Sequence, residues 1–234
     1  MAPLNEHGNF GATIEEVRAK LDQSTSALAR IKLQCCETIE RHRTERFYWM
    51  IENFQLKLRI GKRRYSLRQD FSPPLRAIEG DECWVWEDGS DTLTHDVYRK
   101  SAQWVERQAT TQQYRGQPRE FATEGGYMVL DPVPDSITAD ILVGRGIKIV
   151  PPPERRWNGT TWDFPTDDFT NEWFTEGASL VETHMRYKLL AGPMKNPEDA
   201  AVAAGEYEEI KRVMEVETDE DDGVSPIDPW PAHF

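Results

Sequence analysis

The sequence predicts an α+β fold: a helical bundle, made of a long N-terminal helix and two C-terminal helices, with an inserted β-rich lobe and an extended C-terminal tail. Three observations predict it. Apolar residues recur at helical spacing from Ile14 onward, the period changes to alternation near Leu56, and helical signals return near Asp167 and again at Asn196. Helices segregated from strands in this way define the α+β class. The expected boundaries are a flexible lead over 1–12, bundle segments over 13–55 and 166–215, a β-rich lobe with one short helix over 56–165, and an acidic, aromatic tail over 216–234.

The first helix opens on Thr13-Ile14-Glu15-Glu16, which reads as a capping box with Thr13 as N-cap and Glu16 reaching back to it. Ile14, Val17, Leu21, Leu28, Ile31 and Cys35 then recur at three- and four-residue spacing or its multiples. One helix over 13 to about 47 follows, ending in the basic and aromatic block Arg43-Thr44-Glu45-Arg46-Phe47-Tyr48-Trp49.

Residues 56–60 alternate apolar and basic, as a half-buried strand does. Gly61-Lys62 turns the chain and 64–67 returns it. Strands are expected at 75–79 and 83–87 around a Gly80-Asp81 turn, with another stretch at 93–95 beyond Asp88-Gly89-Ser90. Val97, Ser101, Trp104, Val105 and Gln108 suggest a short helix. Strands at 120–123, 127–130, 138–143 and 147–150 follow, with Gly125-Gly126 and Gly144-Arg145-Gly146 as hairpin turns. Pro151-Pro152-Pro153 is extended, and 157–164 reads as loop.

Asp167 or Asp168 can cap the next helix, whose face carries Phe169, Trp173, Leu180, His184 and Tyr187, and Gly192-Pro193 stops it. Asn196-Pro197-Glu198-Asp199 opens the last helix with an N-cap, a first-turn proline and two acids that the helix dipole favours. Tyr207, Ile210 and Met214 mark its apolar stripe. Beyond Val216 the acidic run argues against order by itself.

Composition bounds the function classes. The 234 residues give room for a real core, and eight Trp suit both cores and interfaces. No run approaches the roughly 18 apolar residues of a membrane span, and the first residues lack the basic and apolar regions of a secretory signal. A soluble chain made in the cytosol is the expectation. Net charge is −13, and residues 198–222 hold most of it, with eleven Asp and Glu against Lys211 and Arg212. The body is nearly balanced, and such a block is a solvated or interacting tail.

No constellation argues for chemistry. Cys35 and Cys36 are helix neighbours roughly 100° apart around the axis, and Cys83 stands alone, so none has a zinc-like partner set. His42, His95 and His184 lack a local ligand pattern, and no Ser or Cys sits in a nucleophile-elbow context. Asp167-Asp168 could hold a metal, but a capping role explains them. Gly125-Gly126 lacks the lysine of a phosphate loop. No catalytic residue, metal or cofactor is expected.

Two segments are candidates for partners. Lys57, Arg59, Lys62, Arg63, Arg64 and Arg68 form a basic stretch that could face a partner or DNA. On an alternating strand Lys57 and Arg59 simply occupy the solvated face, and an acidic chain gains little general attraction to a polyanion. The tail, Gly223-Val224-Ser225-Pro226-Ile227-Asp228-Pro229-Trp230-Pro231-Ala232-His233-Phe234, is stiffened by prolines and carries Ile227, Trp230 and Phe234 as anchors. Residues from about Val216 to Phe234 are expected to lie extended along a neighbouring subunit or another partner.

The order of these segments resembles the head-to-tail adaptors of short-tailed bacteriophages, also called connector, tail tubular or head-completion proteins. Those proteins begin with a helix ending in an Arg-Phe-aromatic block, as at Arg46-Phe47-Tyr48. A Tyr-x-Leu-Pro-x-Asp-Phe segment commonly follows, and here stands Tyr65-Ser66-Leu67-Arg68-Gln69-Asp70-Phe71, with arginine at the usual proline position. Gly116-Gln117-Pro118 and Leu130-Asp131-Pro132-Val133-Pro134-Asp135 also match, and the similarity spans about residues 13–215.

What the resemblance implies is a non-enzymatic virion protein of the neck. It would form a ring of twelve copies beneath the portal, extend the DNA channel, and carry the tail nozzle and tail fibres. Viral double-stranded DNA would pass through without specific binding. Two alternatives stand beside it: another virion component, such as a tail terminator or decoration protein, or an enzyme acting on nucleic acid.

Overall fold

The computed structural model describes residues 8–87, 93–111, 115–135 and 140–223, the side chains at 87, 108–111 and 220–223 excepted. In chain order it begins with helices α1 (Phe10–Lys20) and α2 (Leu28–His42), then strands β1 (Ile51–Lys57), β2 (Arg64–Ser66), β3 (Leu75–Glu87) and β4 (Leu93–Arg99). Helix α3 (Ala102–Thr111) precedes β5 (Glu120–Glu124), β6 (Tyr127–Asp131) and β7 (Asp140–Lys148). The described residues end in the short strands β8 (Arg156–Trp157) and β9 (Trp162–Asp163) and helices α4 (Ala178–Ala191) and α5 (Pro197–Gly223).

The fold class differs from the expectation. A helical bundle with an inserted lobe is not what forms. Among the described residues the protein is a mixed α/β structure with a curled seven-stranded sheet, a half-barrel, together with five helices and 28% strand. The chain divides into two compact units, one holding the described residues of 1–49 and 150–224, the other those of 50–149.

Glycine positions explain much of the difference in the sheet unit. Its strand order is β1-β7-β3-β4-β5-β6-β2, antiparallel except for β4 beside β5. The two strands expected around Gly80-Asp81 are one 13-residue strand. Gly80, at φ +71°, lies where the register against β7 shifts between Glu79 and Trp84, so it makes a bulge rather than a turn. Gly144 and Gly146 likewise lie inside β7. A Cβ at Gly144 would come within 2.8 Å of Cys83 Sγ and of the Phe54 ring, and one at Gly146 within 2.9 Å of Leu75. These glycines let the core close over the strand. Gly125-Gly126, both at positive φ, do make the expected hairpin between β5 and β6.

Phe54, Leu56, Tyr65, Leu67, Phe71, Cys83, Val85, Val97, Phe121 and Leu142 fill one face of the sheet. Val97, expected on the short helix, is a strand residue of β4. Helix α3 seats Val105 on Ala122 and Val129. Burial raises the Cys83 thiol to about 12, which suits a packing group.

In the other unit the expected single N-terminal helix is broken. Asn9, not Thr13, is the N-cap, accepting the Ala12 amide at 2.8 Å. Glu16 pairs with Lys20 instead of reaching back. Helix α1 ends at Lys20, and Asp22 adopts a left-handed φ of +49°. The polar run Asp22-Gln23-Ser24-Thr25-Ser26 supplies side chains that compete with helical hydrogen bonds, so the chain turns before α2.

Asp167 and Asp168 do not cap the helix that follows, since α4 begins at Ala178; the Asp167 carboxylate accepts from Lys32 at 2.7 Å, and its carbonyl accepts the Gly11 amide in the first turn of α1 at 2.8 Å. Fully buried Trp173 donates its indole N–H to the Val150 carbonyl at 3.2 Å and packs edge-on against Trp49 and Phe47. The stretch expected as loop over 157–164 contains the β8–β9 hairpin, inside this unit rather than in the sheet. Gly192 ends α4, and Asn196 caps α5 through the Asp199 amide at 3.2 Å, as expected. Helix α5 continues past Val216 to Gly223, with Thr218 buried and bonded to the Met214 carbonyl at 2.6 Å.

Candidate interaction surface

The basic segment separates into two kinds of residue. Gly61, at φ +72°, turns the chain between β1 and β2. Tyr65 is buried, and its hydroxyl accepts the Arg59 amide at 2.9 Å. Asp70 accepts the Ser66 amide at 2.7 Å and pairs with Lys62 at 2.6 Å. Burial alone would raise the Asp70 carboxyl, but the bonds from Lys62 and Ser66 outweigh it and hold it below the usual range.

Lys62 also sits over the Tyr65 ring, 4.9 Å from its centroid. Arg63 donates to the Val105 carbonyl at 2.8 Å, tying β2 to α3. Both residues are half-buried and serve the fold. Lys57, Arg59, Arg64 and Arg68 are exposed, with Arg64 lying over the Tyr127 ring at 5.1 Å. Only these four keep their charge at the surface.

The short motifs singled out in the sequence come together. Within Tyr65-Ser66-Leu67-Arg68-Gln69-Asp70-Phe71, the residues Tyr65, Leu67 and Phe71 enter the sheet core while Asp70 closes the turn. Strand β2 pairs with β6, and the Leu130 amide donates to Arg63 at 3.0 Å. Gly116 donates to the Val133 carbonyl at 3.0 Å, Arg119 to Asp131 at 3.0 Å, and Gly61 to Pro134 at 2.7 Å. Three segments far apart in sequence thus share one end of the sheet.

A buried polar cluster joins residues that the sequence shows only as isolated. His42 of α2 and His184 of α4 meet with Nε2 and Nδ1 2.6 Å apart. His42 Nδ1 lies 3.0 Å from Glu45 Oε2, and Lys211 of α5 reaches Glu45 Oε1 at 3.3 Å. Tyr207 stacks on His184 at 4.5 Å between centroids. Burial first, then the charges around His42, Lys188 and Arg41, push His184 down to about 3, so it is neutral. Burial would raise Glu45, but His42 and Lys211 win and hold it low. Both imidazoles are shut from solvent, so the cluster can hold a proton but cannot meet a substrate. No local spacing signalled it, because its members lie on three helices.

The described residues also present an exposed aromatic pair that the sequence reading placed in a loop. Trp157 and Trp162 face each other across the β8–β9 hairpin, 53% and 40% exposed. The tail anchors Ile227, Trp230 and Phe234 lie outside the described residues. Among the described residues, no three His, Cys, Asp or Glu side chains are grouped to hold a metal ion, and no helix is long and apolar enough to cross a membrane. No protein-family model matches the chain, and no curated protein matches it.

Proposed function

We propose that this protein is a structural component of a bacteriophage virion, a head-to-tail adaptor. It forms a ring of twelve copies that binds the portal, extends the DNA channel, and receives the tail nozzle and tail fibres. Its place is the virion neck, and it acts without catalysis. The reading rests on the resemblance carried by the ordered motifs.

One observation carries the support from the structure. Strand β2, which opens segment 65–71, pairs with β6, which runs into 130–135, and Gly116 of segment 116–118 donates to Val133, so the segments that bear the resemblance lie close together in one unit. Motifs matched by chance along a chain have no reason to meet in space. The acidic balance of −13 also suits a channel wall, since like charge keeps DNA moving rather than bound. Exposed tryptophans suit a protein with several partners.

Electron micrographs of the purified protein test the reading. A closed ring of twelve supports it. A monodisperse monomer that stays monomeric in the presence of portal contradicts it.

A further inference from the structure

We infer that the buried contact between His42 and His184 is an acid-operated clasp, which holds α5 closed over α2 and α4 and releases it when both rings carry a proton. The device goes beyond the adaptor reading and does not depend on it. One hydrogen is all that fits between the rings. His42 Nε2 and His184 Nδ1 stand 2.6 Å apart, so one nitrogen donates and the other accepts through its lone pair. Two arrangements satisfy this. In one, both rings are neutral, with His184 Nδ1–H aimed at His42 Nε2 and His42 Nδ1–H facing Glu45 Oε2 at 3.0 Å. In the other, His42 is an imidazolium that donates from Nε2 to a bare His184 Nδ1. Both keep His184 neutral. An imidazolium carries N–H on both nitrogens, so two of them would aim hydrogen at hydrogen, and the contact must open.

The surroundings do not absorb a second charge. Arg41 and His42 of α2 and Lys188 of α4 act against a proton on His184, and Glu45 acts for it. That carboxylate is already shared, since Oε2 faces His42 and Oε1 meets Lys211 of α5 at 3.3 Å. Lys211 also reaches Glu215 at 3.9 Å, and Glu208 acts on Tyr207, whose hydroxyl burial raises, so Tyr207 brings no charge. Burial first, then these cations, hold His184 down at about 3.

Helix α5 is the element that yields. Tyr207 lies nearly flat on His184, with centroids 4.5 Å apart and planes at 26°, and 5.8 Å from the His42 ring, so a shift of either imidazole displaces it. Lys211 is tied to the same cluster through Glu45. The Glu206–Arg186 pair with α4, at 2.7 Å, is partly exposed, and such pairs contribute little. The turn over 192–196 joins α5 to α4, so the helix can swing away and uncover Ala203, Tyr207, Met214 and Thr218, all buried when it is closed. Linkage sets the direction. An opened His184 binds the proton that the closed one refuses, so the clasp holds above about pH 6.5 and loosens as pH falls toward 3.

The test places a thiol beneath α5. Full-length protein carrying Ala203→Cys, at a fully buried position, is treated with dithiodipyridine, which reacts with thiols in acid as well as at neutral pH. Labelled peptides are quantified by mass spectrometry from pH 7 to pH 4, against a free thiol at each pH. The buried native Cys83, in the sheet unit, reports whether the rest of the chain stays folded. The clasp predicts that protection at position 203 falls at least tenfold in acid while Cys83 stays protected. His184→Asn sets a neutral amide where Nδ1 stands and should keep position 203 protected down to pH 4. Lys188→Met leaves both rings in place and should move release to lower pH, since one fewer cation opposes the proton; it decides alone if His184→Asn does not fold. Protection indifferent to acid, loss at position 203 together with Cys83, or a release unaltered in either folded variant overturns the inference.

Discussion

His42 and His184, on different helices, place two ring nitrogens 2.6 Å apart in the interior of the helical unit, with Glu45 and Lys211 continuing the chain of polar contacts. The pair links α2 to α4 and, through Lys211, to α5. His184 is held neutral, at about 3 against an ordinary 6.5. The unfolded chain therefore binds a proton that the folded chain refuses.

The sign follows from linkage. Stability from this group is complete above about pH 6.5 and falls as pH drops toward 3, by roughly 1.4 kcal/mol per pH unit for one proton. Urea unfolding at pH 7, 6, 5 and 4 should show that decline. His184→Phe should flatten it while lowering stability at pH 7, since His42 loses its partner. An equal slope in the variant would contradict the assignment.

The glycines of β7 give a second prediction. Gly144→Ala places a methyl group 2.8 Å from both Cys83 Sγ and the Phe54 ring. Overpacking of this kind costs about 1–3 kcal/mol. Gly159→Ala meets nothing within 4 Å but sits at φ +97°, so its cost is backbone strain in an exposed loop. Urea midpoints should fall for Gly144→Ala with an unchanged slope against denaturant. An unaltered midpoint would mean that Phe54 yields freely.

The basic segment gives a third. Arg63→Ala removes a charged donor from the Val105 carbonyl and should cost about 1–2 kcal/mol. Arg68→Ala, on an exposed side chain, should stay within about 0.5 kcal/mol of wild type. Thermal melts of the two variants decide this, and equal losses would contradict the division drawn between structural and surface cations.

Deleting residues 223–234 should leave the body folded and weaken binding to particles. All the core residues described lie before Val224. Circular dichroism with pelleting on portal-bearing particles reads both effects. Full binding by the truncated chain would remove the tail from the mechanism.

Local chemistry was legible where it acts over a few residues. The Asn196-Pro197 helix start, the Gly125-Gly126 hairpin and the Gly192-Pro193 stop are each set by neighbours in sequence. Misreadings arose where a residue has two physical uses. Gly80, Gly144 and Gly146 look like turn residues, but a glycine also serves a bulge or a close approach between strands, and only the packed partner decides. Ile14 through Cys35 keep a helical period across Asp22-Gln23-Ser24, because two helices docked on the same side can share one period. The fold class went wrong for this reason: strands cut short and a helix run too long hid a continuous seven-stranded sheet. Neither the His42–His184 contact nor the Trp157–Trp162 pair was visible. The first joins residues 142 positions apart, and the second needs a hairpin only two residues deep on each side.

The central claim is that this chain is a portal-binding ring. Purified protein mixed with tailless, portal-bearing particles tests it most directly, with bound copies counted against portal. The adaptor reading predicts stoichiometric binding, one copy per portal subunit, and a ring of matching symmetry in averaged micrographs. A protein that stays in the supernatant, while purified tails still assemble on the same particles, would contradict it.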